Sequence, residues 1–164
     1  MDTYTEVDQK NKSKSKQYIK FETGNQAFGI DVLNSREIVM ESEITSIPES
    51  PDYVKGVINL REEIVPIVNL DKLFNIKLSD ESVQEKKIII IKVEGTLIGL
   101  QVDGVDEIIE IENSRIKDAP SITKKYGKDY IQGVAKHNER LFIILDVNNI
   151  FSSDEIEEIK EINS

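Results

Sequence analysis

The sequence predicts an all-β protein with minor helices, built as two tandem five-stranded barrels from an internal duplication and closed by a short C-terminal helix. Two observations carry that expectation. Short segments rich in Ile and Val alternate with turn signals along most of the chain, which is the pattern of an all-β barrel or sandwich. Two blocks of sequence also recur in the same order.

In chain order, residues 1–15 are polar and low in complexity and are expected to be disordered. Strands are expected at Tyr18–Glu22, Ala27–Val32, Ile44–Ile47, Val54–Leu60 and Ile64–Leu70. A second set is expected at Lys87–Val93, Thr96–Val102, Ile108–Glu112, Ile131–Lys136 and Leu141–Val147. Thr23-Gly24-Asn25, Glu94-Gly95 and His137-Asn138 are turn signals between them. Asp71–Asn75 suits one helical turn. Ser152 or Ser153 caps a closing helix with Glu155 near its start, and Ile156, Ile159 and Ile162 give it a narrow apolar stripe.

The repeat fixes the organisation. Tyr53–Phe74 aligns without gaps on Tyr130–Phe151 at an offset of 77, matching Tyr53 with Tyr130, Gly56 with Gly133 and Phe74 with Phe151. Upstream, Phe28–Val32 pairs with Ile98–Val102, and Glu37–Val39 with Glu107–Ile109, at an offset of 70. The seven extra residues of the second copy are assigned to Ser121–Asp129. These alignments place barrel 1 at 16–84, barrel 2 at 85–151 and the helix at 152–164. Closing each barrel is the economical way for so few strands to hide their edges. The hairpin tips diverge: His137 stands opposite Leu60, and Asn138 opposite Arg61.

Composition removes several function classes. A net charge of -10 argues against nucleic acid and anionic membrane surfaces, which need clustered Lys and Arg. There is no cysteine, hence no disulfide or thiolate chemistry. The first residues lack an apolar signal region, and the longest apolar run, Ile88–Ile91, is too short to cross a bilayer, so a cytoplasmic location is expected. His137 is the one histidine and sits in a turn. Glu62 and Glu63 are adjacent in a turn, where solvation suits neither to proton transfer at neutral pH. Asp103–Glu107 is too short for a calcium loop, and Gly95 and Gly99 fit no phosphate loop. No cofactor or metal is expected, and binding is the default over catalysis.

The hairpin Tyr53–Leu70, with "GVINLR" and "IVPIVNL", resembles the signature of CheW-type chemotaxis coupling proteins. Phe28–Val32 with Glu37-Ile38, "IGLQVDGVDEI" from Ile98, Ile116–Pro120 and "YIQGV" at Tyr130 resemble the same family, over residues 17–151. The resemblance implies a non-enzymatic adaptor of two SH3-like barrels. It would join chemoreceptor helical tips to the histidine kinase CheA and alternate in rings with the kinase's regulatory domain. It implies receptor-binding residues Ile19, Val32, Ser35, Glu37, Ile38, Gly56, Arg61, Val102 and Val105; for the apolar Ile19, Val32, Ile38, Val102 and Val105, core is an equal reading. It implies kinase-binding residues Ile44, Ile47, Lys117 and Ile122; for the isoleucines, barrel core is an equal reading. A generic double-barrel binding module in another two-component assembly is the alternative. One departure stands out. The family pattern has glycine after the arginine, and this chain has Glu62, which must adopt a positive φ or reshape the turn.

Overall fold

The computed structural model describes residues 14–40, 43–75, 77, 85–118 and 130–163. The first half of the chain supplies β1 (Ser15–Thr23), β2 (Gln26–Asp31), β3 (Ser35–Met40), β4 (Val54–Leu60), β5 (Glu63–Asn69) and helix α1 (Leu70–Phe74). The second supplies β6 (Lys87–Val93), β7 (Thr96–Val102), β8 (Gly104–Glu112), β9 (Ile131–His137), β10 (Arg140–Leu145) and helix α2 (Ser153–Asn163). Two calls on the sequence change. Ile44–Ile47 is no strand, only a single bridge at Thr45. Ser35–Met40 is one, although its polar, single-sided pattern hides it, because it lies at a sheet edge. The Ser121–Asp129 segment and Ile122 lie outside the described residues.

The strands form two five-stranded sheets, β8-β1-β2-β10-β9 (sheet A) and β3-β6-β7-β5-β4 (sheet B). The expected barrel boundary at residue 84 is therefore corrected: each sheet takes its first hairpin from the other copy. The copies are stitched by the antiparallel ladders β1–β8 and β3–β6 and the parallel ladders β2–β10 and β5–β7, equivalent in pairs. Ile67 pairs with Gly99, and Ile144 with Gly29, each pair related by the offsets of 77 and 70. The same equivalence extends to single hydrogen bonds. Asn69 N donates to Tyr53 O at 2.8 Å, and Asp146 N donates to Tyr130 O at 2.8 Å.

Exchange explains the run of four isoleucines in β6. Ile88 and Ile90 face the interior of sheet B with Ile58, Val65 and Ile67. Ile89 and Ile91 face a central core shared by both sheets, and a strand buried on both faces reads as a continuous apolar run. That central core also holds Ile19, Phe21, Phe28 and Ile30 from sheet A, and Phe74 stacks on Tyr130 with centroids 4.3 Å apart. The matched Tyr and Phe of the repeat thus meet across the copies. A smaller core of Tyr18, Ala27, Ile109, Ile111, Ala135, Phe142 and Ile144 fills sheet A.

The barrels do not close by continuous ladders. In the chain after β3, Thr45 bridges to Val57 of the far edge strand β4 through two hydrogen bonds of 2.9 Å. In the chain after β8, Lys117 bridges in the same way to Val134 of β9 at 2.8 Å. Close approach makes the matched glycines necessary. A Cβ on Gly56 would collide with Thr45 O and lie 2.7 Å from Ile44 Cγ2; on Gly133 it would lie 2.7 Å from Lys117 O.

Both β4–β5 and β9–β10 turn through two residues of positive φ, Arg61 (50°) with Glu62 (70°) and Asn138 (52°) with Glu139 (64°). Glu62 adopts the conformation glycine would favour. Its N–H donates to Asn59 Oδ1 at 3.1 Å, which helps hold the turn.

Helix α1 is capped by Asn69, whose Oδ1 accepts from Asp71 N at 2.8 Å. Helix α2 opens with a reciprocal box: Ser152 Oγ accepts from Glu155 N (3.1 Å) and Glu155 Oε1 from Ser152 N (2.8 Å). Ile156 and Ile159 enter the central core, as their spacing predicts, with Ile162 packed beside them. Tyr53 donates to Glu158 Oε1 at 2.9 Å and so ties this last helix to the first copy. Burial, reinforced by that carboxylate, pushes the Tyr53 hydroxyl far above its ordinary pKa.

Candidate protein-docking site

Sheet B is open at the end where β3, the β4–β5 tip and the β6–β7 tip converge. The rim there is an ion pair. Arg61 Nη1 donates to Glu37 Oε1 at 2.8 Å and Nη2 to Oε2 at 2.5 Å, a bidentate geometry that only a guanidinium supplies. Glu37 stands on β3 and Arg61 follows β4, the two edge strands, so the pair spans the open side of the sheet. The Arg61 side chain is 74% exposed. Hydrogen bonding to Glu37 raises its already high pKa, so it stays a cation at every accessible pH. Beside Glu37, Ile38 is exposed, and so is Leu33 in the turn before β3.

Other expected contacts fall at the two points where the chain crosses between sheets. Val32 and Ser35 flank the Val32–Asn34 turn from β2 to β3; Val102 and Val105 flank the crossing from β7 to β8. Val32 and Val105 are half-buried against the central core, and Ser35 Oγ donates to Val32 O at 2.8 Å. Three expected receptor contacts lie inside the fold. Ile19 and Val102 are enclosed in the central core, and Gly56 is buried beneath Ile44 and Thr45, so none offers a surface.

Of the expected kinase contacts, Ile44 and Ile47 lie in the segment between β3 and β4, and Lys117 follows β8. Ile44 is half-buried over the sheet B core, and half-buried Ile47 accepts from Ser50 Oγ at 2.9 Å. Lys117 occupies the position equivalent to Thr45 and is exposed beside a hollow walled by Val134 and Leu141.

The equivalent end of sheet A carries different charges. Lys20 Nζ lies 3.9 Å from Asp106, and Arg140 Nη1 lies 3.4 Å from Glu22. Burial, then repulsion from Glu22, raises the Asp106 carboxyl above the usual range against the pull of Lys20. Asn138 replaces Arg61, so no counterpart of the Arg61–Glu37 clasp forms there. Sequence reasoning missed Arg36 and Lys92, which line the sheet B mouth. Their signal was legible in the repeat, where each stands opposite an acid, Asp106 and Glu22.

Among the described residues no group of three or more His, Cys, Asp or Glu is placed to hold a metal, and no helix is long and apolar enough to cross a membrane. His137, expected in a turn, ends strand β9 and is half-buried. Two matched sheets with unlike ends and an exposed ionic rim define a protein-binding module.

The family follows from comparison: residues 17–155 match the model of the CheW-like domain, and the chain belongs to that family. It is 31% identical over 146 residues to the chemotaxis protein CheW of Treponema pallidum, covering 87% of this chain and 86% of that protein. To the chemotaxis protein CheW of Thermotoga maritima it is 34% identical over 140 residues, covering 85% and 90%. The crystal structure of the scaffolding protein TtCheW from Thermoanaerobacter tengcongensis superposes with a TM-score of 0.75 at 30% identity, over 87% of this chain and 91% of that one.

Proposed function

We propose that this chain is a non-enzymatic chemotaxis scaffold that couples the cytoplasmic tips of chemoreceptors to the histidine kinase CheA. The observation that carries the reading is the Arg61–Glu37 clasp beside exposed Ile38, present on one copy of a duplicated scaffold and absent from the other. Family membership supplies the class, and the asymmetry supplies the division of labour.

A receptor tip is a helical hairpin, and an amphipathic helix docks by an apolar stripe. Ile38, Val32 and Val105 offer the apolar part here. Glu37 occupies two of the five N–H donors of Arg61, which fixes the guanidinium and leaves donors for a partner carboxylate. The kinase contacts are then Ile44 and Ile47 beside sheet B and Lys117 beside sheet A. Unlike ends favour head-to-tail contacts with a related double-sheet module, and such contacts close a ring if the rotation suits.

The test is calorimetric titration of the wild-type chain with a receptor tip fragment and, separately, with the regulatory domain of CheA. Both are expected to bind. Arg61→Ala is expected to weaken the receptor tip and spare the kinase domain. Failure of the wild-type chain to bind either partner overturns the proposal.

A further inference from the structure

We propose that the mouth of sheet B receives an aspartate or glutamate side chain from the docked partner, held by Arg36 and Lys92. This rests on the docking role above and goes beyond it in naming the chemistry received and two residues that receive it.

The mouth is a cavity of about 370 Å³. Leu60, Ile90 and Leu97 form its apolar wall. Arg36, Arg61 and Lys92 supply three cations against the two carboxylates of Glu37 and Glu63, in a chain whose net charge is -10. The cavity is therefore a local positive site on an acidic protein, which steers an acidic group toward it.

Arg61 is not the free cation, because Glu37 already engages it through two hydrogen bonds. Arg36 and Lys92 have no carboxylate within ion-pair distance among the described residues. Arg36 also sits at a β-bulge: Ser35 pairs with Ile91 and Glu37 with Ile90, leaving Arg36 unpaired in the ladder. A bulge re-aims a side chain, and here Arg36 reaches the cavity although it lies on an edge strand.

The second copy keeps the bulge and inverts the charges. In β8 the register breaks at the same place, Lys20 pairing with Glu107 and Phe21 with Val105, so Asp106 is the bulged residue. Asp106 is answered inside the chain by Lys20, and Glu22 by Arg140. Ile90 stands where Lys20 does, so β6 offers Arg36 no counter-charge at that position. One scaffold position is thus satisfied internally in sheet A and left to an outside carboxylate in sheet B.

The experiment uses the full chain, a chemoreceptor tip fragment and titration calorimetry at low and high salt. Arg36→Glu and Lys92→Glu are each expected to weaken tip binding about fivefold at low salt, and the pair together by more than about tenfold, as exposed pairs become repulsions. The salt dependence is expected to shrink with them. Lys72→Glu, an equal charge reversal on the exposed face of α1, is expected to change nothing. Unfolding curves of each variant separate a folding defect from a docking defect. Wild-type binding with undiminished affinity and salt dependence in the double variant overturns this proposal and leaves the docking role standing. No binding by the wild-type chain overturns both.

Discussion

Glu62→Gly should stabilise the protein. Glu62 holds φ at 70° behind Arg61 at 50°, a two-residue turn in the left-handed region. For a non-glycine residue that conformation costs about 1–2 kcal/mol. Glycine removes the strain but costs about 0.5–1 kcal/mol in added freedom of the unfolded chain. Mid-range values leave a net gain of about 0.7 kcal/mol, or about 1–3 °C in Tm at this chain length. The exposed side chain forms no ion pair among the described residues, and the bond to Asn59 uses the backbone N–H, which glycine keeps. Urea unfolding is the assay, with the midpoint rising and the slope unchanged. The equivalent turn offers a replicate: Glu139, at φ 64°, should gain as much, and the two gains should add. A lower midpoint for Glu62→Gly, or an equal rise for Glu62→Ala, would refute the backbone argument.

Three further outcomes are expected. Gly56→Ala should cost about 1–3 kcal/mol through overpacking and speed hydrogen exchange at the Thr45 and Val57 amides, since the new Cβ collides with the Thr45 carbonyl. Tyr53→Phe should cost about 0.5–1.5 kcal/mol and loosen α2, measured by exchange of the helix amides, since the bond to Glu158 is lost. Lys20→Met should cost about 1–2 kcal/mol at neutral pH, less than a fully buried pair because Asp106 is 31% exposed and 3.9 Å away. Its pH dependence follows from the raised Asp106 pKa. The folded state holds the proton more tightly than the unfolded chain, so stability falls as pH rises from about 3.9 through the folded value. Removing Lys20 moves that upper edge higher, so unfolding at pH 4 should recover much of the loss seen at pH 7.

Much of this fold was legible because its signals are local. Val54–Leu60, Lys87–Val93 and Thr96–Val102 occupy the strands their Ile and Val content predicts, residue for residue. The repeat gave the correct equivalences, down to the paired turns at Glu62 and Glu139. The exchange of hairpins was not legible, because the ladders Ile67–Gly99 and Ile144–Gly29 join residues of different copies, and periodicity says nothing about which copy a strand pairs with. Edge strand β3 was missed for a related reason: only Val39 packs toward the sheet B core, so its pattern looks like a polar loop. At the candidate site the charged rim, Glu37 and Arg61, was readable from the resemblance. The burial of Ile19, Val102 and Gly56 was not, since an apolar residue or glycine reads alike in a core or a groove. The charge inversion at Arg36 was legible in the repeat, but its entry into the cavity needed the register, which shows the bulge there.

The most direct test of coupling is kinase turnover in a reconstituted mixture of CheA, receptor tips and this chain. The scaffold account predicts phosphoryl transfer that rises under receptor control only when all three are present, and a co-migrating ternary complex on gel filtration. Kinase output indifferent to the chain, with each pair of proteins eluting apart, would contradict it.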